Sequence, residues 1–158
     1  MNVPNLLRRN EKAITDPAAL DAVIGQAVVC RLGLAENNKP YVVPLSFGYA
    51  DRMVYLHGAL EGRKIDMIRK NPAVCVQFDA NVQVVPSENA CKWGMRYQSV
   101  IGFGTASILE NPAEKHQALQ IIMQHYSDVP FSFPDHAIAS TAVLKIAIAH
   151  LTGKQSGY

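Results

Sequence analysis

The run MVYLHG, residues 53–58, ends on a histidine and a glycine, and a second glycine and two adjacent cations follow by residue 64. The pattern His57-Gly58…Gly62-Arg63-Lys64 closes a β-like run and opens a helix-like one over GRKIDMIRKNP (62–72). A helix start offers unpaired N–H groups and a partial positive charge. Two cations placed there are unfavourable for the helix alone, and a bound phosphate reverses the sign of that cost. A charge-assisted hydrogen bond to such a group contributes about 1.5–3 kcal/mol. In the alternative reading both side chains simply point into water, and spacing does not decide between the two. His57 has the same pair of readings: a proton donor beside a ligand, or a satisfied histidine at a strand end.

Other chemistries lose ground on spacing. A Walker A loop needs four residues between its glycines and a Ser or Thr after its lysine; Gly58 and Gly62 enclose three, and Ile65 follows Lys64. Gly102-Phe103-Gly104 lacks the third glycine and the following helix of a dinucleotide fingerprint. There is no GxSxG or HExxH, and the five histidines are scattered, so no metal site is expected. Cys30 and Cys75 lie in apolar runs without a CxxC pair and read as buried free thiols of a reducing compartment. Trp93, Tyr97, Met53, Met67 and Met123 read as core in isolation, and Lys145 as an outward, solvated charge.

The elements that must position these groups follow from periodicity. TDPAALDAVIGQA (15–27) is a short amphipathic helix with Thr15 as N-cap and Leu20, Val23, Ile24 and Ala27 on one side. VVCRLGLA (28–35) and YVVPLSFGYA (41–50) form a hairpin about ENNKP. Pro44 cannot donate to a ladder, so the second strand is expected to be an edge or to be interrupted there, which frees backbone groups for a ligand. MVYLHG is the third strand. The helix at 62–72 packs through Ile65, Ile68 and the aliphatic part of Arg69, and stops at Asn71-Pro72. AVCVQFD (73–79) continues after a bend through NVQVVP (81–86). An irregular loop (87–95) and one long strand (96–110) follow, bent near Gly102 or Gly104. NPAEKHQALQIIMQHYS (111–127) is a helix with Ala118, Leu119, Ile122 and Met123 on one face. A proline-bearing loop (128–136) leads to a last strand over 141–154, alternating around Val143, Lys145, Ala147 and Ala149. The expectation is a mainly β fold with flanking helices: a mostly antiparallel sheet closed into a barrel, helices outside.

The 158 residues suit one domain, with residues 1–11 as an N-terminal tail. At 49% hydrophobic and 18% charged residues the composition is globular, and a net charge of +2 gives no argument for a nucleic-acid or membrane surface. No stretch reaches the ~20 apolar residues of a membrane span, and MNVPNLLRRNEKAITD carries no secretory core, so a soluble cytoplasmic protein is expected.

Taken together, the segments CRLGL, KPYVVPLSFGY, MVYLHGALEGRKIDMIRKNPAVCVQFD, CKWGMRYQSVIGFGTA and LKIAIAHLTGK resemble the FMN-binding split β-barrel proteins related to pyridoxamine 5′-phosphate oxidase, and within them the nitroimidazole-resistance (Nim-like) branch. They keep the family's order across residues 12–155. The resemblance implies a homodimer with flavin mononucleotide at its interface and a small-molecule substrate. It implies Arg63 and Lys64 as the phosphate-binding pair. Pro44, Leu45, Ser46 and Phe47 match the strand whose backbone lines the isoalloxazine ring, and Tyr55, His57 and Gly58 match the strand end beside the ribityl chain. Trp93, Arg96, Tyr97 and Ser99 match the region that reaches the flavin from the partner subunit. His57 matches a histidine near the substrate pocket, where the pyridoxamine oxidase branch has threonine. That branch's C-terminal substrate segment has no counterpart after LTGKQSGY, which points away from pyridoxamine phosphate. The implied activity is an FMN-dependent oxidoreductase acting on a small organic acceptor such as a nitroaromatic. The phosphate pair would serve FAD as well. The other reading is a flavin- or haem-binding sensor of the same fold.

Overall fold

A computed structural model describes residues 9–158 of the chain. Most of the expected tail, residues 1–8, lies outside the described residues. Residues 10–12 form a single 3-10 turn, and β1 (Ala13–Ile14) pairs with the last strand. Helix α1 (Pro17–Gln26) buries Leu20, Val23 and Ile24. Its N-cap is Asp16 rather than Thr15: the Asp16 carboxylate accepts from the Ala19 N–H at 3.1 Å, and Pro17 then occupies the first helical position, where its missing N–H costs nothing.

Two tight hairpins follow. β2 (Cys30–Glu36) and β3 (Lys39–Leu45) turn at Asn37-Asn38, with φ of 49° and 62°. β4 (Phe47–Ala50) and β5 (Met53–Gly58) turn at Asp51-Arg52, with φ of 50° and 61°. Positive φ at both central residues matches the twist of antiparallel strands. Helix α2 (Arg63–Lys70), β6 (Ala73–Val85), β7 (Gly94–Leu109), α3 (Pro112–Tyr126), α4 (Asp135–Ala139) and β8 (Ala142–Ser156) complete the chain. Helix α4 occupies the end of the stretch expected to be loop and runs three residues past it.

The strands form one antiparallel sheet in the order β3-β2-β6-β7-β8-β5-β4. The strand expected over 41–50 is thus two strands. They are consecutive in the chain and lie at opposite ends of the sheet, with only Ser46 between them. Pro44 sits on the edge strand opposite Arg31, where its missing donor is harmless. The sheet wraps around Phe47, Phe78, Leu32, Leu56, Leu144 and Ile146, all fully buried, and α1 and α2 add Ile24 and Ile65 to the same core.

Two irregularities bend the long strands. β6 shifts register between Ala80 and Gln83, with Asn81 at φ 55°. β7 shifts against β8 at Phe103–Gly104, where a Cβ on Gly104 would lie 2.2 Å from the Ala147 carbonyl oxygen. On α2, Met67 is buried as expected and joins Ile65 and Ile68 in the core, whereas Arg69, expected to pack through its aliphatic part, is exposed. Met53 and Met123 are half-buried, as is Cys75, whereas Cys30 is fully buried. On β8 the inward row is Leu144, Ile146 and Ile148, so Lys145, Ala147 and Ala149 lie on the outward row, as expected of Lys145. Val143 is buried as well, because α3 and α4 cover the other face of β8 through Ala118, Leu119, Ile122 and Ile138, with Leu109 of β7 in the same cluster. A strand covered on both faces loses its alternation. Lys145 is half-buried beneath α3 rather than solvated. Among the described residues no helix is long and apolar enough to cross a membrane.

Candidate functional site

The cationic turn is assembled from β5 and α2. Val54 and Leu56 point into the barrel, so Tyr55 and His57 point outward and Gly58 continues the inward row. The chain then swings through Gly62, whose φ of 122° and ψ of 170° suit glycine alone. Gly62 is the N-cap of α2, so no side chain caps the first turn. Arg63 and Lys64 are the first two helical residues.

The Lys64 side chain reaches back over Gly58, where an added Cβ would lie 2.7 Å from Nζ. Burial lowers the Lys64 pKa below the usual lysine value. Its charge extends to two neighbours. Cys30, at the start of β2, is pushed up to about 12 by burial, with Arg31 and Lys64 opposing, which makes it an inert thiol. His57 is exposed at its edge, but the protein around the ring, and secondly the Lys64 ammonium, lower its pKa. Arg63 lies across the Tyr41 ring of β3, its Cζ 4.5 Å from the centroid. Among the described residues neither cation has a carboxylate within 4.0 Å, while Arg31, Arg69 and Lys70 each have one.

The break between β3 and β4 is held from below. Pro44 and Ser46 are exposed and Leu45 is half-buried. The Phe47 ring is fully buried between Phe78, at 5.0 Å, and His125, at 4.2 Å between centroids. The Phe47 N–H is not free for a ligand, contrary to expectation. It donates to the Tyr126 hydroxyl at 3.0 Å, which in turn donates to the Val28 carbonyl at 2.8 Å. His125 Nε2 lies 2.7 Å from the Ala27 carbonyl oxygen. His125 and Tyr126 thus pin the broken strand to the segment before β2, a role the sequence reading missed. Their spacing of three and four residues from buried Ile122 is the signal that points to it.

Tyr55 is not brought to the turn. Its side chain lies under α3 beside Ala118, Glu114 and Lys145, where burial, and secondly Asp51, raise its pKa. Arg96, Tyr97 and Ser99 make their contacts elsewhere as well, on the ribbon where the N-terminal part of β7 pairs with β6, and Trp93 just precedes that strand. The Trp93 indole N–H donates to the Ser87 carbonyl and the residue is 56% exposed. Arg96 donates to the Gly157 carbonyl at 3.0 Å and lies 4.6 Å over the Tyr158 ring. Tyr97 pairs with Ser156, and Ser99 with Asp79 and Lys154. Val82, Val84, Val85 and Met95 of the same ribbon are exposed. Among the described residues no group of three or more His, Cys, Asp or Glu side chains is placed to hold a metal ion.

A wrapped antiparallel sheet whose consecutive strands β3 and β4 occupy its two ends, with helices outside, is a split β-barrel. Residues 16–155 match the family described as pyridoxamine 5′-phosphate oxidase, and the chain belongs to that family. A proposed 5-nitroimidazole antibiotic resistance protein from Bacteroides thetaiotaomicron has a crystal structure with TM-score 0.82 and 36% identity, over 90% of this chain and 86% of that one. The flavocytochrome Anf3 from Azotobacter vinelandii superposes with TM-score 0.80 at 21% identity, over 97% of this chain and 73% of that one, and so shares the fold. An uncharacterised protein of Rhizobium meliloti is 31% identical over 56 residues; the match spans 35% of this chain and 36% of that curated relative.

Proposed function

We propose that this chain is a flavin-dependent oxidoreductase that holds FMN by its phosphate at Arg63 and Lys64 and passes electrons to a small organic acceptor, a nitroaromatic among them. The observation that carries the reading is the pair of cations at the uncapped start of α2, one half-buried over Gly58, with no carboxylate in range among the described residues. A phosphate fits this donor set: it would meet the free N–H groups, relieve the cost of burying Lys64, and gain the positive end of the helix. Bound flavin would supply the two-electron chemistry. The chain's own residues bind it, orient it and handle protons. His57 faces outward from the same strand end. Its lowered pKa keeps the ring neutral at neutral pH, ready to take up a proton; a phosphate neutralising Lys64 removes one cause of that lowering.

The ribbon with Arg96, Tyr97 and Ser99, and Trp93 just before it, makes its contacts away from the turn, and its apolar surface is uncovered. A homodimer in which each subunit's ribbon walls the other's flavin accounts for both facts and for the family resemblance. The likeness to the Bacteroides protein favours a nitroaromatic acceptor, and a reduced nicotinamide or another flavoprotein would be the donor. The test is a visible spectrum of the purified protein, chromatography of the flavin released by heat, and anaerobic reduction by a nicotinamide with and without a 5-nitroimidazole. Released FMN with acceptor-dependent nicotinamide oxidation is the expected result. Bound flavin that no donor reduces would leave a binding or sensing module, and a protein that refuses FMN altogether would sink the assignment.

A further inference from the structure

We propose that the cavity between the start of α3, helix α4 and the turn after His57 is a second small-molecule site, built for an amino-acid-like zwitterion whose carboxylate meets Lys115. The cavity measures about 630 Å³, within the range of small-molecule sites. Leu60, Ile138 and Ala139 give it apolar walls. Lys115 lines it and is only 8% exposed, the buried charged residue of the described core. No carboxylate lies within 4.0 Å of its ammonium among the described residues. The aliphatic stem of Lys115 is packed while the ammonium nitrogen stays in reach of solvent, with no side-chain hydrogen-bond partner among the described residues. The other donors at this helix end are already used: the Asn111 side chain accepts from the Ala113 and Glu114 N–H groups. Lys115 is therefore the donor left to face a ligand.

The rim carries the opposite sign. Glu110 and Asp135 also line the cavity; both are exposed, and neither pairs with Lys115. One cation inside and two anions at the mouth repel a phosphate at the rim and repel a simple cation within. A zwitterion satisfies both, with its carboxylate on Lys115, its ammonium toward Glu110 or Asp135, and an apolar side chain against Leu60 and Ile138. None of this rests on the flavin reading.

The experiment is ligand-observed NMR titration of the purified full chain with L-leucine and L-phenylalanine, each compared with its deaminated acid and its decarboxylated amine. At least one amino acid is expected to bind saturably, with both of its single-charge analogues about tenfold or more weaker. Lys115→Met is expected to weaken the amino acid and the deaminated acid about tenfold while leaving the amine unchanged. The exposed pair Glu110→Gln and Asp135→Asn, which leaves the core intact, is expected to weaken the amino acid and spare the acid. The proposal is overturned if no amino acid binds saturably, if the deaminated acid binds as well as its parent, or if neither variant changes the affinity.

Discussion

Replacing Lys64 with methionine separates what the residue does for a ligand from what it does for the fold. The ammonium is half-buried, and burial already lowers its pKa, so the unliganded protein gains little from the charge. Methionine keeps the apolar stem that packs over Gly58 and removes only the charged end. The melting temperature without flavin is therefore expected to stay the same or rise. FMN binding is expected to fall: losing one charge-assisted hydrogen bond to phosphate, about 1.5–3 kcal/mol, weakens Kd roughly 10- to 150-fold. Riboflavin has the same ring and ribityl chain without the phosphate, so its affinity is expected to be the same for both proteins. Fluorescence-quenching titrations with FMN and riboflavin, on wild type and variant, read all four numbers. Equal losses for the two flavins, or an unchanged FMN affinity, would refute the placement of the phosphate at the start of α2.

Glycine substitutions test the same geometry from the backbone. Gly58→Ala places a methyl 2.7 Å from Lys64 Nζ, the far end of a flexible chain, so FMN affinity is expected to fall with little change in melting temperature. Gly48→Ala places one 2.6 Å from the Ile122 nitrogen and 2.7 Å from the Ile121 carbonyl; helix backbone cannot give way, and a loss of at least about 1–3 kcal/mol is expected by chemical denaturation. Tyr126→Phe strips the Phe47 N–H and Val28 carbonyl of their shared partner, at about 1–3 kcal/mol by the same measurement. For His57 the folded pKa lies below the ordinary 6.5, so the unfolded chain binds more protons just under that pH; this contribution to stability is present above 6.5 and is lost as pH falls from 6.5 through the folded value. His57→Gln is expected to flatten that part of a melting-temperature profile against pH, and the His57 ring resonance is expected to titrate at higher pH when FMN is added.

Strand positions and turns were legible because their chemistry is local. ENNKP announces the turn at Asn37-Asn38, and Pro44 announces an edge. Arg63 and Lys64 were legible for the same reason: they contradict the helix they begin. What was not legible depends on partners far along the chain. Alternation through 41–50 is the same whether one strand is present or two, so nothing marks Ser46 as the point where the chain crosses from one end of the sheet to the other. Tyr55 is one residue from Leu56, yet its surroundings are set by α3, about sixty positions later. On β8 the outward row was legible but its burial was not: Val143 and Lys145 are covered by helices that periodicity cannot place.

The strand order has a consequence for how the protein is made. β8 pairs with β7 on one side and β5 on the other, so it is the staple between the four-stranded set β3-β2-β6-β7 and the hairpin β5-β4. A growing chain can pair each of those sets early, but it holds two open strand edges, on β7 and β5, until residues 142–156 leave the ribosome. Pairings this distant in sequence form slowly, and open edges recruit other chains. Synthesis that stalls before β8 leaves two half-sheets, each with an apolar face and a bare edge. The last strand in the order of synthesis therefore decides whether nascent chains reach the barrel or aggregate.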